Sequence, residues 1–284
     1  MTLLFVTALC AAGAELLWLW ICLGVLGGAA LVFLFVWFNN SCIKTTKLEF
    51  KSEKLENSVK IVHLSDLHGK SFGKNNERLV KKVAAEKPDL IVFTGDIVHR
   101  YTDKNKRVAL KLVSSLCEVA PLVFSAGNHE MRNVGYRFFR RDLKEAGAVV
   151  LDDCTADMCG LTLLGLNCAS QKNDTVLKLA KEVEGKKGLK ILLAHKPHLF
   201  EKYENLGFDF VLSGHAHGGQ WRIPFTHVGL YAPGQGVLPK LTEGVHGRGD
   251  TKLIISRGLG NSQFPLRLFN RPEMIVIEFK KFDK

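Results

Sequence analysis

The chain has no lysine or arginine before Lys44, and Glu15 is the only charged side chain between Met1 and Phe38. A cleaved leader opens on positive charge, has a shorter apolar core and ends at a small-residue cleavage site, so these absences argue against one. Cysteine is sparse as well. There are seven; Cys10 and Cys22 fall in the apolar stretch, leaving Cys42, Cys117, Cys154, Cys159 and Cys168 at irregular spacing. An odd, irregular set excludes a disulfide framework and fits a reducing compartment. No segment repeats and no tract is of low complexity. Nor is there a nucleic-acid recognition motif or an aromatic-rich basic strand, so positive charge alone does not point to a nucleic-acid partner.

The uncharged run is the first thing present. Leu16 to Phe38 is 23 residues, which as a helix would be ~34 Å long at ~1.5 Å per residue. A hydrocarbon core is ~30 Å thick, so one membrane span fits and two do not. Trp18, Trp20 and Trp37 suit membrane interfaces. Lys44, Lys47, Lys51 and Lys54 follow the run and no basic side chain precedes it. By the positive-inside rule the remainder is expected in the cytoplasm, held at the cell membrane by a single pass. The formal net charge of +11 suits an anionic substrate or an anionic lipid surface.

Three regions are expected: a membrane anchor over 1–40, a polar linker with an opening strand over 41–58, and one domain over 59–284. In that domain short β-branched runs alternate with helix-like segments. Strands are expected at Val59 to Leu64, Leu90 to Thr94, Leu122 to Ser125, Leu161 to Leu166, Lys190 to Ala194 and Phe208 to Leu212. Helices are expected at Glu77 to Glu86, Lys104 to Leu116, Arg137 to Ala146 and Thr175 to Val183. The alternation predicts an α/β domain with buried strands. The tail, with strands at Trp221 to Pro224, Gly229 to Ala232, Leu253 to Ser256 and Met274 to Phe279, predicts a second sheet packed on the first. The fold class is α/β, a layered β-sandwich flanked by helices, with an N-terminal transmembrane helix.

Chemistry gathers where these strands stop. KIVHLSDLHG ends in Asp66 and His68, PDLIVFTGD in Asp96, LVFSAGNHE in Asn128 and His129, KILLAHKP in His195, and FDFVLSGHAHGG in His215 and His217. Ligands of open α/β sheets bind outside the carboxyl ends of the strands. Left unpaired, so many polar groups at one edge would be costly. A cation removes that cost, and mixed nitrogen and oxygen donors suit Mn, Fe or Zn rather than Ca. There are too many donors for one tetrahedral ion; two ions sharing a carboxylate would use them all.

DLH, GD, GNHE, a lone histidine after a strand and GHAH, in this order, resemble the calcineurin-like metallophosphoesterase family over about residues 59–279. The resemblance implies a dinuclear centre of two divalent metal ions. One would take Asp66, His68 and His217, the other Asn128, His195 and His215, with Asp96 bridging. It implies hydrolysis of a phosphodiester or pyrophosphate bond by metal-bridged hydroxide, with His129 as general acid. Gly214, Gly218 and Gly219 would let the backbone come close to the metals.

Ile97-Val98-His99 stands where many relatives carry an acidic or amide residue, which puts an outer contact in doubt but no ligand. His63, His227 and His246 read as structural or solvated, His198 as part of a helix start, and Cys154 and Cys159 as ordinary residues. The tail ISRGLGNSQFPLRLFNRPE, with HGGQ and APGQG, resembles the membrane-anchored bacterial phosphodiesterase branch of the family. Within it Arg257, Arg267 and Arg271 are candidates to grip a second phosphate or an acidic headgroup. The expected substrate is a phosphoester, lipid-linked or nucleotide-linked, met at the membrane. Rival readings are a non-catalytic scaffold of the same fold that binds a partner or anionic lipid, and a nuclease; the complete ligand set disfavours the first and the anchor the second.

Overall fold

The computed structural model describes residues 2–169, 173–262 and 264–282; for residues 2–15 and 173 it gives the backbone alone. It opens on one long helix, α1 (Thr2–Ser41). The apolar portion Leu16–Ser41 is long enough to cross a bilayer, and none of its most apolar window is buried against the rest of the protein.

Fourteen strands follow among the described residues. The first group is β1 (Lys44–Ser52), β2 (Val59–Leu64), β3 (Leu90–Phe93), β4 (Leu122–Phe124) and β5 (Val149–Val150). Next come β6 (Cys154–Met158), β7 (Leu161–Leu166), β8 (Leu189–Ala194) and β9 (Phe210–Ser213). The last are β10 (Tyr231–Ala232), β11 (Gly236–Val237), β12 (Gly244–Arg248), β13 (Thr251–Ile255) and β14 (Glu273–Lys281). One six-stranded sheet runs β1-β14-β2-β3-β4-β5 and a second runs β12-β13-β9-β8-β7-β6. Helices α2 (Glu77–Ala85), α3 (Asp103–Cys117), α4 (Asn128–Met131) and α5 (Tyr136–Glu145) connect the strands of the first sheet, and α6 (Asn173–Glu182) lies between β7 and β8.

The sheets face each other. Ile61, Val92, Leu163, Leu193, Leu212, Ile254 and Ile277 fill the space between them. On the outer face of the first sheet Val62, Leu64, Ile91 and Phe93 pack under Leu79, Leu112, Val113 and Leu143 from the helices. Because both faces of β2 and β3 are covered, their sequences are continuously apolar rather than alternating, as buried parallel strands require.

The layered sandwich is as expected from the sequence, but the assignment of strands to its sheets differs. The opening strand expected within 41–58 is β1, which pairs in parallel with all nine residues of β14. The run Met274 to Phe279, expected in a second tail sheet, instead lies in the first sheet between β1 and β2. The second sheet is built mainly of mid-chain strands, with only β12 and β13 coming from the tail. Expected strands at Trp221–Pro224 and Gly229–Ala232 shrink to two isolated bridges, Trp221–Leu268 and Arg222–Gly229, and to two-residue β10.

Phe50 of β1 is half-buried against Phe210 and Phe279, with ring centroids 4.9 and 6.0 Å away. Phe50→Ala is expected to cost about 2 kcal/mol, which for a domain of this size lowers the melting temperature by roughly 4–8 °C. A fragment starting at residue 59 loses β1 altogether. It should melt lower still and aggregate through the bared edge of β14; differential scanning fluorimetry of fragments starting at residues 43 and 59 would expose an error in this boundary.

Candidate metal centre

Five strand exits meet at one end of the sandwich. The loops after β2 and β3 run side by side: Asp66 N–H donates to Gly95 O, His68 N–H to Asp96 O and Gly69 N–H to Ile97 O, each at 3.0 Å. The loop after β9 closes from the other sheet, where His215 N–H donates to the Asp66 carboxylate at 2.9 and 3.1 Å. A Cβ at Gly214 would overlap Ser65 Oγ and Asp66 Oδ2, so only glycine lets the two loops approach.

The backbone at these exits is unusual. Asp66, His68, Asp96, His215 and His217 all have positive φ, between 49° and 66°. Few residues other than glycine adopt this region, and clusters of them mark sites where geometry matters more than ease of folding.

The side chains fall into two adjoining groups, Asp66, His68 and His217 in one and Asp96, His195 and His215 in the other. In the first, His68 Nε2 and His217 Nε2 are 3.2 Å apart, and Asp66 Oδ1 is 3.8 and 3.5 Å from them. In the second, His195 Nε2 is 3.2 Å from Asp96 Oδ2. Asp96 Oδ2 is also 3.6 Å from His68 Nε2, so this carboxylate borders both groups. Asn128 is buried beside them, at the start of α4.

Electrostatically the centre is a knot of lone pairs. Burial drives the His215 and His217 imidazoles down to about 2 and about 3, leaving both neutral. Burial works against ionisation of Asp66, yet His217, His68 and His195 hold it well below the usual carboxylate range. Asp96 is likewise held low against burial, chiefly by His195. Among the described residues no lysine or arginine pairs with either carboxylate. His195 Nδ1 lies 2.6 Å from Thr94 O and donates to it, which turns Nε2 and its lone pair inward. His195 Nε2 and Asn128 Oδ1 are both buried without a hydrogen-bond partner. Unpaired acceptors facing two carboxylates are what a divalent cation would satisfy, and the N/O set fits one or two such ions.

His129 lies at the rim. Its N–H donates to Asp96 Oδ1 at 2.8 Å, its Nδ1 faces His99 O at 3.2 Å, and its Nε2 is 4.0 Å from Asp96 Oδ2. Burial lowers its affinity for a proton, partly offset by Asp96.

The match to known proteins follows this geometry. Residues 59–219, all five strand exits included, match the calcineurin-like phosphoesterase family. The chain belongs to that family. It is 28% identical to the uncharacterized metallophosphoesterase YkuE of Bacillus subtilis over 84% of this chain and 86% of that one. It is 30% identical to an uncharacterized metallophosphoesterase of Aquifex aeolicus, covering 84% and 92%. Phosphodiesterase YaeI of Escherichia coli is also 30% identical, covering 77% and 81%.

Of the seven candidate ligands, Asp66, His68, His217, Asp96, His195 and His215 lie in these two groups, Asn128 is buried at the start of α4, and His129 is at the rim. The three arginines are engaged by the chain itself. Arg267 is fully buried and its guanidinium donates to the carbonyls of Gly260 and Arg257. Arg257 is spent on ion pairs with Glu243 and Glu273. Arg271 donates to Cys42 O and Ile43 O and lies 4.5 Å over the Phe38 ring. All three hold the tail in place through these contacts.

Two supporting residues lie outside the candidate set, and one of them, His99, stands where the sequence put an outer contact in doubt. His99 packs against His129 and His68, at 5.0 and 5.5 Å between ring centroids. Glu130, last letter of GNHE, is fully buried and accepts from the backbone N–H of Asp96, Ile97, Val98 and Gly127. Its place in a motif quoted for Asn128 and His129 was the available signal. Burial and the Asp96 charge push its carboxyl up to about 7, with those amides pulling the other way.

Glu130→Ala would leave four buried amides without an acceptor. It is expected to cost about 3 kcal/mol or more and to release the Asp96 loop. Chemical denaturation together with elemental analysis tests this: near-native stability with full metal content would show that Glu130 does not hold the loop.

Proposed function

We propose that this protein is a membrane-anchored, dinuclear metal-dependent phosphodiesterase whose substrate carries a phosphodiester or pyrophosphate bond. The observation that carries the reading is the pair of adjoining, buried Asp/His groups, with His195 Nε2 and Asn128 Oδ1 buried and without a hydrogen-bond partner. Membership of a phosphoesterase family and the likeness to a protein named as a phosphodiesterase support hydrolysis of a phosphoester.

In this reading Asp66, His68 and His217 hold one divalent cation and Asn128, His195 and His215 hold the other, with Asp96 shared. Two such cations, Mn, Fe or Zn, would supply an acidified water as nucleophile and offset the charge that builds on the phosphoryl oxygens. The chain's own residues do the rest. Thr94 O fixes the His195 tautomer. Ser65 Oγ and the His215 N–H hold the Asp66 carboxylate in place. His99 O takes the Nδ1 proton of His129, so that a second proton on Nε2 faces the site and can pass to the leaving oxygen.

The apolar helix Leu16–Ser41 supports a single membrane pass, and the lysines that follow it favour a cytoplasmic catalytic domain.

The protein is expected to hydrolyse bis-p-nitrophenyl phosphate with Mn²⁺ and to stop in EDTA; turnover that survives thorough chelation would sink the metal mechanism. Asp96→Asn should remove most activity together with bound metal. His129→Ala should lower kcat by about a hundredfold or more with metal content kept, and parallel loss of metal would assign His129 to the metal cradle instead.

A further inference from the structure

The tail loops carry a set of large apolar side chains that a soluble surface does not need. Phe225 is fully exposed, and Ile223, Leu238, Phe264, Leu266 and Phe269 are each more than a third exposed. Phe225, Leu238 and Phe269 are also held at positive φ, 61°, 50° and 53°. Bulky residues rarely take that conformation, and here it turns apolar side chains outward instead of into a core.

Their position relative to α1 gives these residues a depth. The Phe269 ring is 4.9 Å from the Phe35 ring. A bilayer core takes about 20 helical residues, and every 20-residue window within Leu16–Ser41 contains Phe35. If α1 spans, Phe269 therefore lies level with hydrocarbon rather than water. Asn40 locks this relation, because its Nδ2 donates to Arg267 O at 3.1 Å and its Oδ1 accepts Arg267 N–H at 2.8 Å. Phe225 joins Phe35, Phe38, Phe269, Lys44 and Arg271 around a pocket of about 330 Å³ at the foot of the helix. Residues 221–242 and 257–272 contain no aspartate or glutamate, so nothing in these loops repels an anionic headgroup.

The same loops are bonded to the candidate metal centre. Gln220 Nε2 donates to Phe264 O and Leu266 O at 3.0 Å, and Trp221 Nε1 to Leu266 O at 3.0 Å. Asn270 Nδ2 donates to His217 O at 2.7 Å, and Leu230 N–H to Gly219 O at 3.2 Å.

We propose that the loops 221–240 and 264–269 form a collar that dips into the bilayer beside α1 and presents the Asp/His site to phosphoesters of membrane lipids. The collar rests on the membrane-anchored reading of α1 and adds to it a second contact and a substrate class.

The test uses the full chain in nanodiscs of phosphatidylglycerol and phosphatidylethanolamine, with the photoreactive residue benzoyl-phenylalanine placed singly at five positions. Leu31 reports the anchor, positions 225, 238 and 269 report the collar, and Leu177, exposed on α6, is the control. Mass spectrometry is expected to find lipid adducts at Leu31 and at all three collar positions and none at Leu177. Adducts at Leu31 with none at 225 and 269 would overturn the collar while leaving the anchor. No adduct at Leu31 would overturn the anchor and the collar with it. The catalytic arm compares bis-p-nitrophenyl phosphate with a p-nitrophenyl phosphodiester on an acyl tail in vesicles of the same lipids. In a Phe225→Ser/Leu238→Ser variant the rate ratio of tailed to soluble ester should fall about tenfold or more, since two large side chains leave the apolar phase. An unchanged ratio would overturn delivery of lipid esters by the collar.

Discussion

Two carboxylates buried from water, with no lysine or arginine paired to them among the described residues, set the terms for the rest of this structure. Asp66 and Asp96 are buried, and among the described residues imidazoles supply their only ion-pair partners. Asp96 and Asp66 draw His195 well above its ordinary range despite its burial, while burial drives neighbouring His215 and His217 the other way. Divalent charge would satisfy both carboxylates and the idle lone pairs at once. The fold is arranged around an unfavourable knot that a cation relieves, which is why metal binding and stability should be linked in this protein.

Much else serves that knot. Five of the seven candidate ligands sit at positive φ, a conformation costing of order 1 kcal/mol or more at each position. The two apolar cores on either side of the first sheet leave those loops little freedom to relax. Glu130 and Thr94 carry the constraint one layer out, the first by holding the amides around Asp96, the second by setting a tautomer. Neither needs to touch substrate to matter.

The strand exits were legible in the sequence because a buried parallel strand is a short apolar run and its end is marked by the first polar residues. Asp66, Asp96, Asn128, His195 and His215 each follow such a run directly. What could not be read locally was pairing over long separations. An opening strand was expected within residues 41–58, but its partner, β14, lies some 229 positions later and leaves no local trace. The hairpin of β6 and β7 had a local cue that went unused: Cys159 and Gly160, both at positive φ, form its two-residue turn. The arginines were open to two readings for a physical reason. Arginine beside a phosphate site reads as an anion grip, yet the same fork of donors satisfies backbone carbonyls equally well, and nothing in a sequence says which acceptors lie nearby.

Those arginines connect the two ends of the molecule. Arg271 caps the chain where α1 runs into β1, stacking on Phe38 and binding the carbonyls of Cys42 and Ile43. Arg267 ties the RGLG loop to itself, and that loop is hydrogen-bonded to Asp66 O through Gly260 N–H. A continuous path of hydrogen bonds therefore runs from the foot of the apolar helix to the backbone carbonyl of Asp66. A flexible tether would leave the site free to tumble above a surface; this one fixes its height and orientation relative to the helix. Stiffness of that kind has little use in a tether that serves only to localise a domain. It is required if the reacting ester is itself held at a fixed depth.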